Sequence, residues 1–376
     1  MKGAWAGLLL VLLASCQQRT VWDEAAARLP AAKEVARKSG IPLDPEDYRR
    51  LRTRQGVDLK PALARIREDK RWRAFSDQVL KPGTAASPAV FAANQDLMAQ
   101  LEQLENGAYV GSENDDPFDF VEFATAKNVA KALLARAKAS DLGTAVADLR
   151  RVSALAEAVA EPPTLVRAMV ASAIYGLVDG CARELALRYQ GSSSQIARVL
   201  EALPDLPLAD LATLARVESY SGQAYCLSYE FIREGGDRDS PQAQREPIPG
   251  NPAGPEASAY LARFLEAWSK TIDRLDGAKG DFDAQREAIA DLLAELRGSE
   301  GPSYNVLRET VGVWAGALDA LATAPTRRAM TQDFLRVLAF KADRGRLPKP
   351  EEFAPQGRDL FANAPSLQGL REPRVS

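Results

Sequence analysis

The sequence predicts an all-α protein, an array or bundle of antiparallel amphipathic helices. Three observations lead there. Apolar residues recur at spacings of three and four along most of the 376-residue chain, which is the period of one helix face. Alanine and leucine dominate while aromatic residues make up only 7% and β-branched residues are sparse, a balance that favours helix over strand. Short Pro, Gly and Asp punctuation separates the periodic stretches, and short turns make neighbouring helices antiparallel.

The first fifteen residues read differently. Lys2 supplies one positive charge, Leu8 to Leu13 an apolar core, and Ala14-Ser15 a small-residue exit. That order is a secretory signal peptide over residues 1–15. Its apolar stretch is shorter than the roughly 20 residues a membrane crossing needs, and no later stretch reads as long and apolar enough. Leu13-Ala14-Ser15-Cys16 resembles the lipobox of bacterial lipoproteins. The resemblance implies that the Cys16 thiol receives diacylglycerol and that Cys16 becomes the acylated (palmitate-bearing) N-terminus of an exported, membrane-held protein. Two or more acyl chains make such an anchor stable, at about 0.8 kcal/mol per buried methylene. Gln17 stands where an aspartate would resemble an inner-membrane retention signal, so the outer membrane is favoured in a host that has one.

Residues 16–43 read as a lipidated tether leading into a short helix. Residues 44–110 hold N-terminal helices. Asp44-Pro45-Glu46-Asp47 is a helix start, with Asp as N-cap, Pro at the first position and acids in the first turn. A helix from Asp58 and Pro61 carries Ile66, Trp72 and Val79, and ends at Lys81-Pro82-Gly83. Another runs through Val90, Leu97, Leu101 and Leu104 to Asn106-Gly107.

The central region, 118–234, is the clearest. Phe123, Ala130, Leu133, Leu134 and Ala137 form one stripe, and Asp141-Leu142-Gly143 turns the chain. Val146, Leu149, Val152, Leu155 and Val159 form a second stripe. Pro162-Pro163-Thr164 starts a third helix through Leu165, Met169, Ile174 and Leu177. A short helix spans 196–203 and a longer one 209–231. Residues 235–257 are dense in Pro, Gly and charge and read as a mobile loop or linker. Helical spacing resumes over 258–345 through Leu261, Phe264, Trp268 and Ile272, then Ile289 and Leu296, then Leu307 to Leu321. A last helix is expected from about Arg327 to Asp343. Residues 346–376 form a Pro-rich tail.

Composition excludes several chemistries. The chain carries 48 Lys+Arg against 51 Asp+Glu, a net charge of −3. Removing residues 1–15 takes away one lysine and no other charge, leaving −4. So balanced a chain has no electrostatic footprint for nucleic acid. There are no histidines, which removes Ser-His-Asp and Cys-His nucleophile systems, HExxH zinc sites and imidazole acid–base steps. Cys181 and Cys226 complete the three cysteines. An exported compartment permits a disulfide between them. The alternative is two buried thiols, since Cys181 lies on the stripe of Ile174, Leu177 and Leu185. Cys226 sits one residue off the stripe of Val217, Ala224, Leu227 and Phe231.

Few segments suggest a site. Glu113, Asp115, Asp116 and Asp119 gather oxygen donors in an acidic loop, without the EF-hand spacing that calcium needs; a solvated loop with Asp119 capping the next helix is the plainer reading. No metal and no cofactor is expected. The hairpin over 126–155 has the small facing residues of a tetratricopeptide unit, without a second copy at that period. Arg216-Val217-Glu218-Ser219-Tyr220 looks slightly like the glutamate motif of lytic transglycosylases. A glutamate in an apolar groove can act as a general acid, with Tyr220, Tyr225 and Tyr229 as an aromatic strip, but the downstream Gly-Leu-Met-Gln of that family is replaced by Gly222-Gln223-Ala224-Tyr225.

Arg328-Ala329-Met330, then Lys341 to Pro348 and Phe353-Ala354-Pro355, are similar to the ending of type II secretion pseudopilins, which keep a long N-terminal apolar helix in place of a lipobox. The same ending, with Asp148-Leu149, Pro163-Thr164-Leu165 and Leu203-Pro204, resembles an uncharacterised family of exported bacterial helical proteins from about Phe123 onward. That resemblance implies fold and export, and no activity. The sequence thus leads to a membrane-anchored envelope lipoprotein that binds or scaffolds, with envelope protein or cell wall as partner. The alternative is a carboxylate-dependent enzyme that cleaves cell-wall glycan at Glu218.

Overall fold

Helix after helix follows from capping chemistry that the sequence carries openly. The computed structural model describes residues 26–51, 57–81, 86–103, 107–110, 121–206, 209–233, 255–297 and 302–353. Side chains are described for all of these except 107–109, 121, 224–233, 255–256, 302–310 and 350. Residues 1–15, where a signal peptide is expected, Cys16, residues 111–119, most of 235–257 and the end of the tail lie outside the described residues.

Fourteen helices, α1 to α14, and one pair of short strands occur among the described residues, so the fold is all-α. The chain divides into two units, each drawn from separated stretches: residues 1–52, 115–117 and 210–316 form the first, and 53–114, 118–209 and 317–376 the second.

The first unit contains α1 (Leu29–Lys38), α2 (Pro45–Arg50), α11 (Leu211–Arg233), α12 (Pro255–Gly277), α13 (Phe282–Arg297) and the opening turns of α14 (Pro302–Arg344). Asp44 caps α2 as its sequence requires, accepting from the Glu46 and Asp47 amides at 2.8 Å. The centre is α12, packed against α1, α11 and α13. Phe264 stacks on Trp268 at 5.8 Å, and Trp268 meets Trp314 edge-on at 6.0 Å. Such pairs add about 0.5–1.5 kcal/mol beyond the area they bury. The Trp268 indole donates to the Ala215 carbonyl at 2.7 Å, so its polar edge is satisfied inside the core. α1 ends in Gly40, whose φ of +75° suits glycine. Arg216 crosses that turn, donating from Nε to the Ser39 carbonyl at 2.9 Å and pairing with Asp276.

The second unit contains α3 (Lys60–Glu68), α4 (Lys70–Val79), α5 (Pro88–Ala92), α6 (Gln95–Glu102), α7 (Val121–Ala139), α8 (Leu142–Val159), α9 (Leu165–Arg188), α10 (Ser193–Glu201) and the rest of α14. α7, α8 and α9 pack mutually and form its centre. Asp141 caps α8 by accepting from the Thr144 amide at 3.1 Å, and Thr164 caps α9 through Arg167. These two short turns set the three helices antiparallel. Alanines 126, 130 and 137 on α7 and 145 and 156 on α8 are fully buried, and small side chains let the helices approach closely. Two buried arginines pair with buried aspartates. Arg136 donates twice to Asp148, at 2.8 and 2.6 Å, and once to Glu102 at 2.7 Å. Arg328 bonds Asp179 at 2.5 Å and the Pro204 carbonyl at 2.8 Å. Burial pushes the Asp179 carboxyl above its ordinary range, against the pull of Arg328.

Several elements depart from expectation. The single helix expected from Asp58 to Val79 is two, because Asp69 is extended and caps α4 through the Arg71 amide. The helix through Val90 and Leu97 is also two, with Asn94 turned back to the Val90 carbonyl at 2.8 Å. Val57–Asp58 (β1) pairs in parallel with Gly107–Tyr109 (β2), strands too short for a two-residue period to announce. The last two expected helices are one: α14 runs 43 residues through Pro325. Proline there removes the amide that the Leu321 carbonyl would receive, while Thr326 Oγ1 donates to the Ala322 carbonyl beside it at 2.9 Å. Among the described residues one helix, α9, does meet the length and composition of a membrane crossing. It carries fully buried Arg167 and Asp179 and packs between α7 and α8, which is the pattern of a core helix.

Candidate binding groove

In the second unit a groove of about 440 Å³ lies between α7 and α9, within the range usual for small-molecule sites, about 300–1,000 Å³. Leu134 and Ala135 from α7 and Leu177 and Cys181 from α9 form its floor, and Val79 and Ala86 close one side. Helical period explains the set. Residues 131, 135 and 138 share one face of α7, and 177, 181 and 184 share one face of α9. Opposed, the two faces give an apolar floor with charged ends.

The charges are not equivalent. Lys138 Nζ pairs with Glu184 at 2.8 Å. Lys131, half-buried on the same rim, makes no ion pair among the described residues. Cys181 is a free, buried thiol whose Sγ lies 3.8 Å from the Leu134 carbonyl, to which it donates. Burial pushes the thiol up to about 12, against the nearby Lys138. A protonated thiol is an apolar surface rather than a nucleophile. The groove can therefore hold a ligand by burial.

A smaller hollow of about 250 Å³ lies between α8 and the end of α10, lined by Arg150, Ser153, Glu157, Glu201 and Pro204. Its lining carries one positive and two negative side chains. Among the described residues, no group of three or more Cys, Asp or Glu gathers to hold a metal ion.

Glu218 sits half-buried on α11 in the first unit, and neither hollow includes it. The residues around it in the motif are engaged in packing. Arg216 bonds Ser39 and Asp276, Ser219 Oγ donates to the Arg216 carbonyl at 2.6 Å, and Tyr220 stacks on Tyr48 at 4.6 Å. The side chains of Tyr225, Cys226 and Tyr229 lie outside the described residues, as does Cys16. Sequence reasoning placed Cys181 on a core stripe and missed the groove beside it. The signal was the Lys131/Lys138 spacing opposite Cys181/Glu184, which shows only once α7 and α9 are known to be neighbours. No protein family, no curated protein and no solved structure matches this chain.

Proposed function

We propose that the chain is a membrane-anchored envelope lipoprotein whose helical body binds rather than catalyses. The address rests on the sequence from Lys2 to Cys16. Binding rests on one observation, the groove between α7 and α9 with its apolar floor and protonated thiol. Binding sites are hollows of this size with mostly apolar walls and few polar groups to orient the occupant. An envelope protein or cell-wall component is the macromolecular partner in this reading.

The address is tested by Cys16→Ser, which should move the protein from the detergent phase to the aqueous phase and abolish acyl labelling. Unchanged retention would overturn the anchor. Binding without catalysis is tested on purified cell wall with wild type and Glu218→Gln. Neither should release soluble fragments. Release by wild type that falls at least about a hundredfold in the variant, the scale of acid–base assistance, would replace this reading with a glycan-cleaving enzyme.

A further inference from the structure

We propose that the groove between α7 and α9 takes a single-chain anionic amphiphile, with the alkyl chain on the floor and the anionic head at Lys131. The inference rests on the reading that the helical body binds, and it names the ligand class.

The floor selects the chain. Leu134, Ala135 and Leu177 present carbon, and the Cys181 thiol directs its hydrogen toward the Leu134 carbonyl. A polar group pushed onto this floor would lose water without gaining a partner. An alkyl chain loses nothing there and gains with each methylene it buries.

The rim selects the head. Lys138 is answered by Glu184, so that pair contributes no net charge. Lys131 has no ion pair among the described residues and leaves the rim one unit positive. An anionic head beside it completes a charge-assisted contact, and a cationic head would meet repulsion. A neutral alcohol would keep the chain and lose the head contact. Carboxylate and phosphate heads share this chemistry, and the experiment separates them.

The probes are dodecanoate, dodecyl phosphate and dodecanol. Each is titrated calorimetrically, below its micellar concentration, into the full chain carrying Cys16→Ser, so that no acyl group of its own competes. One-to-one binding of at least one anion is expected, with dodecanol about tenfold weaker; the tighter anion identifies the head. Lys131→Glu should weaken the anion about tenfold or more and leave dodecanol unchanged. Ala135→Trp, at a half-exposed position on the groove wall, should abolish binding of all three with helical circular dichroism retained. If that variant does not fold, Ala135→Leu replaces it and should weaken all three. Equal binding of dodecanol and both anions, unmoved by Lys131→Glu, would overturn the head assignment. Binding of none by folded wild type, or binding indifferent to a filled groove, would overturn the site. None of these outcomes touches glycan release, so this inference can fail while the non-catalytic reading stands.

Discussion

Asp148 is wholly removed from solvent, and Arg136 and Arg151 both donate to it, the second at 3.0 Å. Burial alone would lower the Arg136 guanidinium, yet Asp148 and Glu102 hold it above its usual value. Breaking such a pair from one side costs about 3–5 kcal/mol because a charge is left buried. Surface caps work on a smaller scale and respond to pH. The Thr144 amide, and after it the Thr144 hydroxyl, hold Asp141 below its ordinary 3.8. A depressed acid contributes stability that is complete above the unfolded value and is lost as pH falls through the folded one. The α8 cap should therefore weaken only below pH 3.8. Asp141→Asn keeps an oxygen in the same place but removes the charge, so its urea midpoint should lie slightly below wild type at pH 6 and fall less than wild type on acidification. An equal acid loss in the two proteins would show that Asp141 does not carry the effect.

Two helical glycines look alike in sequence and differ in what surrounds them. A Cβ on Gly222 of α11 would stand 2.7 Å from the Phe264 ring, which is locked in the aromatic stack. A Cβ on Gly176 of α9 would stand 2.2 Å from the Arg327 guanidinium tip, the free end of a flexible side chain. Gly222→Ala should lower stability by about 1–3 kcal/mol through overpacking. Gly176→Ala should be neutral or gain up to about 1 kcal/mol of helix propensity. Urea midpoints of the two variants decide it, and a reversed order would mean that the Phe264 ring yields. At this scale the sequence is informative where local chemistry rules. Asp44, Asp141, Thr164 and Gly345 end helices where their side chains or a φ of +71° require. It gives no warning at Asp69 and Asn94, where an expected single helix breaks in two.

Across the whole molecule, contacts between distant stretches set the arrangement, and periodicity carries no information about them. α1 covers α12 from more than two hundred residues away, with Leu29, Ala32 and Ala36 buried. Deleting residues 17–51 should uncover that face and speed amide exchange in α12. Unchanged protection would mean that α1 is an ornament on the first unit rather than part of its core. The same limit hid the candidate site: Lys131 and Glu184 come to line one groove only through the α7–α9 packing. The residues on which the expected resemblance rests have local structural roles. Asp148 receives Arg136, Thr164 caps α9, and the Leu203 and Pro204 carbonyls accept from Gln332 and Arg328. They tie the second unit together and none lines the α7–α9 groove, so what the sequence made legible there was a fold.

The thiol at the base of the groove carries a kinetic consequence. With burial raising its pKa to about 12, almost none of Cys181 is thiolate at neutral pH. Oxidants and alkylating reagents then meet an almost inert sulfur while the helices stay closed. Modification waits for α7 and α9 to part and for water to reach the sulfur. In a chain carrying Cys16→Ser and Cys226→Ser, the rate of Cys181 alkylation is thus a clock for the breathing of these two helices, and an occupant in the groove would slow it.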